Sequence, residues 1–185
     1  LPEQQTFTAN PLNPNHGDVF IAESPPYRNG GIYNILATPK FGYTFSHWSS
    51  TNGAEYMLES NTSESTTVSL SDDAIFIANF VEITRHLEIL LGTGGDTATP
   101  GSGHYGISQI LPINATASVG YQFFKWHDPG GIVTDPFMAS TDVNMSRAHD
   151  INTISANFDR RSYNITLTEG VGGNVIIDSP NGPWY

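Results

Sequence analysis

The chain has 185 residues, enough for one large domain or two small ones, and at 38% hydrophobic and 14% charged it is too apolar for disorder. Eighteen Gly and 12 Pro argue against a helical bundle and for short strands joined by many turns. The formal charge of −11, with Arg160-Arg161 as the one adjacent basic pair, makes nucleic acid a poor partner, and zero cysteines exclude disulfides and thiolate metal sites.

An acidic surface of this kind keeps a protein soluble and apart from its neighbours. No apolar run approaches the roughly 18 residues of a membrane span, so membrane insertion by this segment is not expected. Leu1 has neither an initiator Met nor a signal peptide ahead of it. It reads as the start of a mature product or of a piece of a longer protein, and a cysteine-free acidic chain fits a bacterial exported one.

In chain order, strands are predicted at 7–11, 18–22 and 32–38, each short and bounded by turn formers. "GYTFSHW" follows at 43–49. Tyr43 and Phe45, two apart, share a strand face, but Phe45 and Trp48, three apart, share one only if the chain coils. A strand end curling into one helical turn is therefore expected, burying all three rings. Strands at 66–70 and 75–80 bring the count to five.

The chain then repeats itself. Tyr43 and Tyr121 differ by 78, as do Phe45 and Phe123, Trp48 and Trp126, and Phe80 and Phe158. The same shift aligns "ANF" at 78–80 with "ANF" at 156–158, and Gly17-Asp18 with Gly95-Asp96. One offset shared by unlike motifs is a tandem repeat. Matching segments run over about 6–81 and 86–159, giving domains at 1–81 and 82–159 and a truncated third copy at 160–185. In that third copy, Tyr163 faces Phe7 and Gly173 faces Gly17.

Two copies also report which face is buried. Phe76, Ala78 and Phe80 pair with Ile154, Ala156 and Phe158, whereas the alternate Ile75 and Ile77 pair with Thr153 and Ser155. Positions apolar in both copies are the core candidates, and the period of two says strand. Tyr33, Ile35 and Ala37 match Leu111, Ile113 and Ala115 in the same way. Val68 and Leu70 return as Val143 and Met145 at an offset of 75, so the loop after Trp126 is three residues shorter and the turn before Ile154 three longer. The fold class is mostly β, as tandem small antiparallel β-rich domains. The alternative is a β-grasp-like α+β unit with one short helical turn at GYxFxxW.

The pattern "YNILATPKFGYTFSHW…STTVSLSDDAIFIANF" resembles the divergent InlB B-repeat family of bacterial surface proteins. Copy one carries the Ala-x-Pro element as Ala37-Thr38-Pro39; copy two has Ala115-Thr116-Ala117, without the proline, and Thr97 where a Val would stand. The resemblance implies an extracellular module repeated in long secreted or surface-anchored proteins. It implies no catalytic residues, because the family pattern consists of core and turn positions.

Other motifs have plainer readings. The GYxFxxW rings could stack sugars, but all three return in copy two while Ser46 becomes Phe124 and His47 becomes Lys125, which favours a core. "GSGHYG" at 101–106 is a literal GxGxxG, yet "TATP" precedes it and a proline-containing, strand-like run follows, so no nucleotide cofactor is expected. Asp72-Asp73 and Asp150 lie in the hairpin before the last strand; a turn role is favoured over calcium, since EF-hand spacing is absent. Six scattered His lack HExxH spacing, and no GxSxG supports a Ser-His-Asp triad. Asn-x-Ser/Thr sequons begin at Asn61, Asn114, Asn144 and Asn164, as expected by chance in this composition.

Catalytic, cofactor and metal residues are therefore predicted to be none, and binding residues stay open. The leading reading is a non-catalytic spacer, stalk or adhesin segment outside a bacterial cell, partnered by other domains of the same longer chain. A glycan or a cell-surface ligand is a further candidate partner. The runner-up is a carbohydrate-binding accessory module of a secreted polysaccharide-degrading enzyme, using the aromatics read as unshared between copies: Tyr27, Tyr56, Tyr105, Phe124 and Phe137. An enzyme within this chain is the third and weakest. In the partial third copy, Ile165 and Leu167 are predicted to be at least half buried against another repeat or a partner chain, since two strands cannot bury an apolar face alone.

Overall fold

A computed structural model describes residues 3–164, 166, 168 and 171–173 of the chain. Alternation of period two runs through most of it and makes strands. In the first repeat these are β1 (Gln4–Gln5), β2 (Phe7–Pro11), β3 (Gly17–Ile21), β4 (Tyr27–Arg28), β5 (Ile32–Pro39), β6 (Tyr43–Ser50), β7 (Ser65–Ser69) and β8 (Ala74–Glu82). The second repeat follows with β9 (Thr84–Leu91), β10 (Gly95–Thr99), β11 (Gly103–Gly106), β12 (Ile110–Ala117), β13 (Tyr121–His127), β14 (Ser140–Asn144) and β15 (Ile151–Arg160). Short 3₁₀ turns at Ala54–Met57 and Met145–Arg147 are the only helical elements among the described residues.

Each repeat divides its strands between two sheets. One is three-stranded and antiparallel, ordered β3-β5-β7 in the first repeat and β10-β12-β14 in the second. The other is ordered β11-β9-β15-β13 in the second repeat, and the first repeat builds the same arrangement as β2-β8-β6 with the separate pair β1-β4. Strand β9 thus does the work of β1 and β2 together. In the first repeat the chain breaks between them at Thr6, whose carbonyl takes the Ala74 N–H at 2.9 Å.

The sheets are antiparallel except for one pair in each repeat: β2 runs parallel to β8, and β9 to β15. These are the first and last long strands of a repeat. A parallel neighbour needs a long crossover, and the three-stranded sheet and aromatic strand between them supply it. The register sets Phe7 opposite Ala74 and Leu87 opposite Asn152, so Leu87, 80 residues on, is the spatial counterpart of Phe7. Copies therefore align at 78 from β3 through β6 and again along β8, with β7 and β14 at 75, but not at the first strand, because the turn into β10 is two residues shorter than the turn into β3.

The aromatic signature forms a continuous strand, and the expected helical turn is absent. Strand β6 pairs with β8 along its length, with a register shift between Phe45 and His47; β13 pairs with β15 with the same shift between Phe123 and Lys125. A β-bulge places one extra residue, Ser46 or Phe124, on the outside, and that brings residues three apart onto one face without any coil. Phe45 and Trp48 then lie with ring centroids 5.6 Å apart, and Phe123 and Trp126 5.8 Å apart. In copy one, Asn79 of the ANF motif holds the bulge, donating from Nδ2 to the His47 carbonyl at 3.2 Å and to Ser49 Oγ at 2.9 Å.

Both sheets contribute to each core. Trp48, Val68, Leu70, Phe76 and Ala78 are fully buried in the first repeat, and Leu87, Val143, Met145, Ile154 and Ala156 in the second, with Trp126 all but so. Every pairing expected from the comparison of the copies lies on the inner face, while Ile75 and Thr153 are exposed. Phe80 and Phe158 pack against these cores as partly buried rings. Ile165 and Leu167 lie outside the described residues; Tyr163, at the head of the partial third copy, is exposed. Trp48→Ala should destabilise the first repeat by about 3–5 kcal/mol, read as a lowered urea midpoint; an unchanged midpoint would contradict this core.

Candidate functional site

The first candidate is the aromatic signature, and its geometry is that of a closed core. Trp48 Nε1 donates to the Ser63 carbonyl at 2.9 Å, and Trp126 Nε1 to the Met138 carbonyl at 3.1 Å. The backbone N–H of Trp48 donates to the Asn61 carbonyl and that of Trp126 to the Pro136 carbonyl, at 2.6 and 2.7 Å. Both loop partners are 75 residues apart, matching the three-residue deletion read from the sequence. The loop after each Trp closes over the indole and satisfies its only donor, so no ring face is left for a ligand.

Tyr43, Phe45, Tyr121 and Phe123 are partly buried, short of the full burial expected for all three rings, which only Trp48 and Trp126 reach. Tyr43 stacks on His16 with centroids 4.1 Å apart and planes 15° from parallel, at the edge of the repeat. The Gly-Asp motif belongs to the same packing. A Cβ on Gly17 would overlap the Phe80 ring, and one on Gly95 would lie 2.7 Å from Phe158 Cε2. Glycine stands there because an aromatic ring lies flat on the backbone.

GSGHYG is an edge strand. Gly103–Gly106 is β11, antiparallel to β9 with His104 opposite His86, and no helix follows it to receive a phosphate. Asp72 and Asp73 form the turn into β8: Asp72 Oδ1 accepts the Asp73 N–H at 2.8 Å, and Asp73 Oδ1 accepts the Thr6 N–H at 2.6 Å. At the corresponding point in repeat two the Asp150 carbonyl accepts the His86 N–H at 3.4 Å. Among the described residues, no group of three or more His, Asp or Glu side chains is placed to hold a metal ion. Two partly exposed carboxylates lie below the usual carboxylate range for local reasons. The Asn34 side-chain amide lowers Glu23, and backbone N–H donors of Glu55 itself and of Ser50 lower Glu55.

Of the sequons, Asn144 is occupied structurally, capping the turn at Met145–Arg147 by accepting the Ser146 N–H at 3.1 Å. Asn61 and Asn164 are exposed and Asn114 is half-buried in β12.

The five aromatics read as unshared do not form one platform. Tyr27 and Tyr105 are 78 apart and are equivalent, which corrects their reading as unshared. Each packs against its core, and each hydroxyl donates to a carbonyl four residues back, Glu23 at 3.0 Å and Gly101 at 2.6 Å. Tyr56, Phe124 and Phe137 are exposed. Phe124 is the outward bulge residue, with Lys125 Nζ 5.5 Å above its ring.

Phe137 borders a cavity of about 340 Å³ that Lys125, His127, Asp128 and Pro136 also line. Asp128 lines a second cavity of about 320 Å³, with Pro129, His149 and Asn152. Its Oδ2 accepts the Val133 N–H at 2.7 Å, whereas Oδ1 is buried without a hydrogen-bond partner. Asn152 stands where copy one has Ala74; it is buried, and organises the longer turn by accepting the His149 N–H and donating to the His149 carbonyl at 2.8 and 2.6 Å. Sequence reasoning singled out neither Asp128 nor Asn152. The available signal was a polar residue in one copy aligned with Ala74 in the other.

A family model described as the divergent InlB B-repeat domain matches residues 7–84 and again residues 87–162. The chain therefore belongs to the divergent InlB B-repeat family, whose repeats are typical of bacterial surface and secreted proteins. No curated protein and no solved structure matched it.

With both aspartates of the turn engaged by backbone donors, calcium should leave the thermal midpoint unchanged. Asp73→Ala should lower stability by about 1 kcal/mol through loss of the bond to the Thr6 N–H. A midpoint that rises with calcium concentration would refute the turn assignment.

Proposed function

We propose that this chain is a non-catalytic extracellular spacer, a length of stalk that holds or displays other domains of a longer bacterial surface or secreted protein. One observation carries the reading: both copies place the signature Trp in a closed core and satisfy its indole N–H internally. Motifs that repeat with the module thus serve its folding, and a folded module that recurs contributes length. The acidic surface and the absence of nucleic-acid signatures agree with an extracellular setting, and an adhesin segment is the variant in which the exposed loops also touch a surface.

A carbohydrate-binding role is the second reading, favoured by exposed Phe137 beside the cavity that Asp128 and His127 line. An exposed ring with polar groups at its rim is what sugar stacking requires. Affinity electrophoresis and glycan arrays on the whole chain separate the two. A spacer is expected to show no saturable binding to any glycan. Saturable retardation that is abolished by Phe137→Ala would replace the spacer reading with the second.

A further inference from the structure

Strand β8 ends at Glu82 and β9 begins at Thr84, so Ile83 alone joins the repeats. A one-residue link is a hinge if its backbone groups are free and a splice if they are bonded to both sides. The Ile83 N–H donates to the Gly42 carbonyl at 2.8 Å, in the turn that opens β6. Its carbonyl accepts the Ile107 N–H at 2.9 Å, from the turn after β11. One bond thus goes to each repeat.

Two glycines make room for the approach. Gly42 has φ +92° and is buried, and a Cβ there would lie 2.8 Å from Ser108 Cβ of the second repeat. Gly106 yields its side-chain space to Glu82 of the first, whose Oε1 also accepts from Gln109 Nε2 at 3.4 Å. Between them Ile107 is buried. The turn at Gly42 is a socket, and the corner Gly106–Gln109 is the part seated in it.

The second repeat carries the same socket. Its Arg161 N–H donates to the Gly120 carbonyl at 2.8 Å, the bond that stands 78 residues on from Ile83 to Gly42. Gly120 has φ +86°, so the turn has the same left-handed residue. Here, however, Gly120 is exposed, no atom lies within 4 Å of its Cβ position, and the adjacent Val119 is fully exposed. The sequence leaves both sockets in one register, with Leu87 four residues after Ile83 and Ile165 four after Arg161. The matching corner of the first repeat is also formed, with the Asn29 N–H donating to the Glu3 carbonyl at 3.2 Å as Ile107 does to Ile83.

We propose that the turn preceding the aromatic strand is an inter-repeat socket, that it fixes the two repeats as one body, and that the Gly120 socket receives the corner of a following repeat of the same kind. A contact this small suffices because covalent linkage supplies a high effective concentration. It is head-to-tail and does not close on itself, so the same contact can propagate along an array.

Backbone ¹⁵N relaxation on the 185-residue chain should give one rotational correlation time for both repeats. Ser108→Trp, at an exposed position outside both cores, should split it into two shorter ones while leaving each core's amide exchange unchanged. Two correlation times in the unaltered chain would overturn the proposal, as would a single one retained in the variant. For the second socket, a soluble gadolinium chelate should relax the Gly120 α-protons strongly and those of Gly42 weakly in the present chain. Continuing the chain with a complete third repeat should shield Gly120 to the level of Gly42. Gly120 still relaxed as strongly beside a folded third repeat would overturn its assignment.

Discussion

Burying an indole removes a large apolar area from water but strands an N–H donor, and the structure is organised around meeting both conditions at once. In each repeat the Trp lies between two sheets, and the loop that follows bends back so that one carbonyl meets the indole nitrogen and another meets the Trp backbone N–H. That loop can change length, and does, provided those two carbonyls arrive. Sheets that alone would be marginal three- and four-stranded pieces are thereby closed into a unit with one core.

The bulge is the device that lets a strand deliver that Trp. Strict alternation would send Phe45 and Trp48 to opposite faces; one extra residue restores them to the same face and leaves Ser46 outside. Asn79 belongs to this geometry in copy one, since its side chain bonds the carbonyl of the strand just beyond the bulge. Gly17 and Gly95 belong to it too, because the Phe that closes the ANF motif lies against them. Motifs that look separate in the sequence are one packing arrangement seen at three places.

Differences between the copies collect where this arrangement does not reach. The turn into β15 is rebuilt around Asn152, and the first strand of the repeat is continuous as β9 in one copy and interrupted at Thr6 in the other. The cavities beside Asp128 lie where the second repeat's loops close over its core, against Trp126 and Ile132. A scaffold fixed by its core and variable in its connections is free to differ from copy to copy on its surface.

The repeat, its core face and most strands were legible in the sequence, because a period of two and a second copy report inward-facing positions without coordinates. Ile35, Ala37, Val68, Leu70 and Phe76 are inward for that reason. The bulge was not legible. A spacing of three between Phe45 and Trp48 fits a helical turn as well as a bulged strand, and the partner strand β8 chooses between them by offering a ladder along the whole of β6. The parallel pairing of first and last strands, the equivalence of Leu87 with Phe7, and the meeting of Gly42 with Ser108 are likewise contacts between distant segments. Local pattern fixes which way a side chain faces along its own strand; which strand lies beside it is decided only when the chain closes on itself.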